Sequence, residues 1–140
     1  MELSAAAYRL RVLFDSKITA YYQNSFKGEF GRAQTDALSL LYDRGALRVQ
    51  ELADILGIPK QHASKIMTKL ESMALVSRDT DPSDKRAAIF RLTAEGSALM
   101  HAHLTASNRN FERLISALSE ADQARMADAM STMIELLEKM

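Results

Sequence analysis

Val49-Gln50-Glu51-Leu52-Ala53-Asp54-Ile55-Leu56-Gly57-Ile58-Pro59-Lys60-Gln61-His62-Ala63-Ser64-Lys65-Ile66-Met67-Thr68-Lys69-Leu70-Glu71-Ser72-Met73 decides how this chain is read. Val49 to Leu56 is spaced for a short helix, and Gly57 marks a tight turn. Pro59 suits the first position of a second helix, where its missing N–H costs nothing. That helix is expected to reach Met73. Its apolar residues, Ala63, Ile66, Met67, Leu70 and Met73, share one face, and Lys60, Gln61, Ser64, Lys65 and Thr68 share the opposite one. Two helices joined in this way have helix-turn-helix form.

Beyond Met73 the period changes. Val76 to Asp79 and Ala87 to Leu92 are strand-like, and they flank the charged, turn-rich segment Thr80-Asp81-Pro82-Ser83-Asp84-Lys85-Arg86. The expected element is a β-hairpin with a long tip, which after a helix-turn-helix is a wing. Upstream, Leu3, Ala7, Leu10, Phe14, Ile18 and Tyr21 make one stripe on a long first helix. Asn24 to Arg32, with Gly28 and Gly31, reads as a break. A second helix follows from about Ala33 to Asp43. Downstream, Thr93 is placed to cap a fifth helix carrying Met100, Leu104, Phe111, Ile115 and Leu118. Ser119 is placed to cap a sixth, carrying Met126, Met130, Met133, Ile134 and Leu137. The expected fold is mainly α with a small β-hairpin wing. It forms a single domain over 1–140: a winged helix-turn-helix at 33–93, flanked by N- and C-terminal dimerisation helices at 1–23 and 94–140.

The 140 residues suit one domain with a real core, and no apolar run reaches membrane-spanning length. No membrane association and no secretion signal are expected, so a cytoplasmic location is the default. The absence of cysteine excludes disulfides, thiolate nucleophiles and cysteine metal sites. Net charge is zero, but it is unevenly spread. No acidic residue lies between Asp54 and Glu71, where Lys60, Lys65 and Lys69 stand with His62, whereas Ala87 to Met140 is net acidic. A locally basic face on a neutral protein can serve DNA, because phosphates respond to local potential. On charge alone, the same stretch also reads as an ordinary solvated helix side.

The order helix-turn-helix, then wing, points to double-stranded DNA. The expected recognition-helix contacts are Lys60, Gln61, His62, Ser64, Lys65, Thr68 and Lys69. Lysine donates to guanine or holds phosphate, glutamine bonds adenine twice, and serine and threonine serve either role. On the wing, Asp84, Lys85 and Arg86 are the expected contacts. Arg86 suits a narrow minor groove, with the Asp84 carboxylate orienting it as a bidentate pair; the alternative is a surface ion pair of little consequence. Arg48 and Arg78 are expected to touch phosphates.

The stretch from Asp81 through Asp84, Arg86, Leu92 and Thr93 to Gly96 resembles the wing signature of the MarR family, in which Asp-x-Arg precedes a strand ending Leu-Thr-x-x-Gly. Gln34 and Leu38 resemble the preceding helix. Leu52-Ala53 with Leu56-Gly57-Ile58 resembles the first element of the family's helix-turn-helix. Ser64, Leu70, Glu71, Leu75-Val76 and Arg78 resemble its recognition helix and the start of its wing. The resemblance spans about Gln34 to Gly96, and the flanking helices agree in position. One departure is Ala74, where the family usually has glycine. The resemblance implies a homodimer, paired through its terminal helices, on a palindromic operator. It implies a regulator, usually a repressor, released by a small aromatic or phenolic ligand bound between the dimer helices and the winged domain.

Phe14, Tyr21, Tyr22 and Phe30, with Phe26 nearby, are placed to line an aromatic effector pocket, although plain packing explains them too. His101 and His103 are two apart, on different sides of a helix, whereas helical metal pairs prefer spacings of three or four. No metal site and no cofactor are expected. Ser64 has Lys60 four residues before it, but both lie on an exposed face, so no enzyme is expected. The alternative to a DNA regulator is a winged-helix protein-interaction module without specific DNA binding. That would need an apolar patch on the fourth helix, whose outer face is polar and basic.

Overall fold

The computed structural model describes residues 1–20, 26 and 30–140. Helix α1, Leu3–Phe14, widens at its end into a π-helical turn, Asp15–Thr19. Helix α2 spans Arg32–Arg44, and a two-residue strand β1, Leu47–Arg48, leads into α3, Val49–Leu56. Helix α4 is Lys60–Ser72, β2 is Val76–Asp81 and β3 is Asp84–Leu92. Helices α5, Ala94–Ile115, and α6, Glu120–Leu137, complete the chain. The strands form one antiparallel sheet in the order β1-β3-β2.

The core lies between α2, α3, α4 and the sheet. Leu38, Leu41, Leu47, Leu52, Met67, Leu70, Phe90 and Met100 are fully buried there. Each such side chain contributes roughly 1.5–3 kcal/mol by leaving water. The turn between α3 and α4 depends on Gly57, at φ +64°, a left-handed conformation that costs glycine little. Pro59 sits one position before the place expected of it. It is the N-cap of α4, in extended conformation (φ −60°, ψ 146°), and Lys60 is the first helical residue.

Helix α4 ends in a Schellman motif. The Leu75 N–H donates to the Leu70 carbonyl at 3.0 Å and the Ala74 N–H to the Glu71 carbonyl at 3.0 Å. Ala74, where glycine would be expected, therefore takes the left-handed conformation itself, at φ +61°. Thr93 locks this corner to α5. Its hydroxyl donates to the Ala74 carbonyl at 2.6 Å and accepts from the Gly96 N–H at 3.0 Å, as an N-cap should. Its own N–H donates to the Leu75 carbonyl at 3.0 Å. A Cβ at Gly96 would lie 2.1 Å from that same carbonyl oxygen, so only glycine fits there. Ser119 caps α6 as expected, accepting from the Asp122 N–H at 3.1 Å.

The wing differs from its expected form. The strands run on to Asp81 and from Asp84, so the turn is just Pro82-Ser83 rather than a long tip. The irregularity moves into β3: Thr80 faces Ala88 and Asp81 faces Asp84, which leaves Lys85, Arg86 and Ala87 bulged out of register. Strand β1 was not expected at all. The first helix is also less regular than its stripe implied, since the π turn interrupts it.

Candidate nucleic-acid interface

Helix α4 buries Ala63, Ile66, Met67 and Leu70. With 100° between successive residues, Lys60, Gln61, Ser64, Lys65 and Thr68 must then point outward, and all five are exposed. His62 and Lys69, seven residues apart, share one edge of that face and are also exposed. All seven recognition-helix residues are thus brought together on one accessible helix side. None makes a side-chain hydrogen bond or ion pair among the described residues.

On the wing, Asp84, Lys85 and Arg86 are all exposed. The expected carboxylate–guanidinium pair is absent among the described residues. Instead, Asp84 Oδ1 accepts the backbone N–H of Arg86 at 3.0 Å. The reason is local: Arg86 lies in the bulge, without a cross-strand partner, and the carboxylate two residues earlier is within reach of its amide. Asp84 therefore holds the bulge in shape and leaves the Arg86 side chain unpaired.

Arg78 and Arg48, the two expected phosphate contacts, are both engaged within the fold. The Arg78 guanidinium sits 5.0 Å from the centre of the Phe90 ring and 3.6 Å from the Glu71 carboxylate. These are weak surface contacts, of roughly 1 kcal/mol or less each, and they steer the side chain without committing it. Arg48 is held more firmly. Its Nη2 donates to Ser83 Oγ at 3.1 Å and pairs with Asp81 Oδ2. The Asp81 side chain is only 4% exposed. Its Oδ1 accepts from both the N–H and the hydroxyl of Ser83, at 2.9 and 2.8 Å. The Ser83 N–H first, with the Ser83 hydroxyl and Arg48 assisting, holds the Asp81 carboxyl below the usual carboxylate value, against the burial that would raise it. Sequence reasoning missed this cluster. Arg48 lies 35 residues from Ser83 in the chain, and no periodic signal marks an isolated aspartate as buried.

The proposed aromatic pocket is not assembled as expected. Phe14 lines an apolar groove of about 550 Å³ between α1 and α6, with Leu10, Lys17, Ile18, Met130 and Ile134 among its walls. Phe30 packs elsewhere, against the winged core, at 5.3 Å and edge-on to Phe26. Tyr21 and Tyr22 lie outside the described residues. Phe26 stacks on His103 at 3.8 Å, and His103 is buried whereas His101 is exposed. Burial holds the His103 imidazole below the usual histidine value. No cluster of three metal-ligating side chains occurs among the described residues, and no described helix is long and apolar enough to cross a membrane.

Comparison with known proteins agrees with this geometry. The model of the MarR family matches residues 31–88, which run from the cap of α2 through the wing bulge. This winged segment is similar to the MarR family. The transcriptional regulator HosA of Escherichia coli O111:H- is 26% identical over 118 residues, 84% of this chain and 86% of HosA. Wild type MarR from E. coli, in its apo form, superposes with a TM-score of 0.74 at 16% identity, covering 95% of this chain and 96% of that one. BpsR of Bordetella bronchiseptica, whose DNA binding is regulated by 6-hydroxynicotinic acid, superposes at 0.63 with 20% identity over 95% and 96% of the two chains. The fold is thus the winged-helix fold of these structures, and the curated protein it resembles, HosA, is a transcriptional regulator.

Proposed function

We propose that two copies of this chain pair through α1, α5 and α6 and set their α4 helices into successive major grooves of a palindromic operator, repressing transcription. One observation carries the pairing. Neither α1 nor α6 has a single buried residue, although both carry full apolar stripes. Ile134 and Leu137 are each more than half exposed, and Leu10, Phe14 and Met133 about two-fifths. Monomeric proteins rarely leave contiguous apolar surface of this kind open. A second copy covers it and at the same time fixes the spacing of the two recognition helices.

In each half-site, Lys60, Gln61, Ser64, Lys65 and Thr68 read base edges, while His62, Lys69 and Arg78 meet the backbone. Lys85 and Arg86, carried on the bulge, enter the flanking minor groove, where negative potential is strongest. Release by a small aromatic acid or phenol is part of the same proposal. BpsR, a protein of this fold, responds to such a ligand. The buried aromatic contact of Phe26 with Phe30 and His103 joins the segment after α1 to α5, a location suited to sensing.

Selection from a random duplex pool tests the reading. The expected result is an enriched palindrome with half-site centres about ten base pairs apart. Recovery of sequences no different from the starting pool overturns it.

A further inference from the structure

Asp81, the last residue of β2, flanks the wing turn with a nearly inaccessible carboxylate. Oδ1 is fully used by Ser83. Oδ2 is buried without a hydrogen bond of its own, and the group standing against it is the Arg48 guanidinium. A buried carboxylate oxygen needs such a partner, and removing one member of such a pair leaves the other uncompensated. Arg48 has also committed that nitrogen to Ser83 Oγ. Its other end is fixed as well. Its backbone pairs with Ile89 across the sheet, and its N–H donates to the Glu51 carboxylate at the start of α3, at 3.0 Å. Arg48 therefore ties Asp81, at the end of β2, and Ser83, in the wing turn, to the first turn of the helix-turn-helix. Lys85 and Arg86 follow the wing turn after the single residue Asp84.

We propose that Arg48 is a positioning residue for the wing rather than a phosphate contact: its pairing with Asp81 and Ser83 fixes where Lys85 and Arg86 stand relative to helix α4. The inference rests on the DNA-binding reading above. It assigns Asp81 a role that its charge alone would not predict. A carboxylate near the DNA-facing end of a wing should repel phosphate, yet here it aids binding by holding the turn.

The sign of one substitution separates the two roles. The full-length protein is titrated onto the duplex recovered by selection, alongside Arg48→Met, Asp81→Asn, Arg86→Ala and the double variants. Positioning predicts that Arg48→Met and Asp81→Asn each weaken binding about tenfold, comparable to loss of one good contact. It predicts that the pair together is no worse than either, and that both effects shrink several-fold in the Arg86→Ala background, where only Lys85 is left to position. A phosphate contact predicts the reverse: Arg48→Met weakens binding whatever stands at 86, and Asp81→Asn strengthens it by removing a negative charge. Amide exchange in the free protein gives a readout without DNA. Ser83 and Arg86 amides should exchange several-fold faster in Arg48→Met and Asp81→Asn, with Arg48→Lys between them and the parent. Unchanged exchange in the wing overturns the proposal. If Arg48→Met unfolds, Asp81→Asn and Arg48→Lys carry the same comparison. If the parent protein recovers no specific duplex, the DNA reading fails, while the exchange measurement still decides the anchor.

Discussion

Ala74 holds a left-handed conformation that L-residues other than glycine adopt at a cost of roughly 1–2 kcal/mol. The Schellman bonds on either side, together with the Thr93 hydroxyl on its carbonyl, hold it there. Ala74→Gly relieves the strain, partly offset by the greater freedom of glycine in the unfolded chain. The expected outcome is a gain of about 0.5–1 kcal/mol, read as a denaturation midpoint a few degrees higher. Gly96→Ala should do the opposite, losing about 2–3 kcal/mol, because its Cβ would collide with the Leu75 backbone and not with a side chain able to turn aside. His103 gives a pH dependence of defined sign. Its folded value lies below that of the unfolded chain, so the unfolded state takes up the proton first as pH falls below about 6.5. Stability therefore declines from about pH 6.5 downward. His103→Phe, which keeps a ring against Phe26, should flatten that decline in denaturant midpoints measured at pH 7.5 and 5.5. An unchanged slope would assign it to other groups.

At the scale of elements, the helix-turn-helix was legible because two signals agreed there: the apolar spacing of Ala63, Ile66, Met67 and Leu70, and the Gly57 and Pro59 punctuation. The caps at Thr93 and Ser119 were legible for the same reason, being side-chain chemistry at a fixed offset from a helix. What escaped sequence reading lacks a period. Strand β1 has two residues and exists only because β3 offers it an edge. The π turn leaves the stripe on α1 almost unaltered, since Phe14 and Ile18 still fall four apart. The bulge at Lys85, Arg86 and Ala87 is a matter of register between strands, which neither strand encodes alone. Most of the candidate DNA face was therefore readable, whereas the parts that aim it were not. The bulge makes its own prediction: Arg86→Ala should weaken binding to the selected duplex by about 1–3 kcal/mol and relax sequence preference only at its flanks. A uniform loss across all positions would make Arg86 an ordinary phosphate contact.

For the whole molecule, the decisive property is the asymmetry between a closed winged core and two terminal helices without a buried residue. A winged core alone does not need α6, and α6 as it stands exposes Ile134, Leu136 and Leu137 to water. In the proposed dimer a second copy covers these residues, and the basic α4 faces of a chain of zero net charge act together on one duplex while the net-acidic segment from Ala87 to Met140 stays away from it. Sedimentation of the protein with and without one equivalent of the selected duplex measures this most directly, with Ile134→Glu alongside. The account predicts a dimer in both cases, two chains on each duplex, and an Ile134→Glu protein that sediments as a folded monomer and loses specific binding. A parent protein that is monomeric and binds the duplex one to one would contradict it.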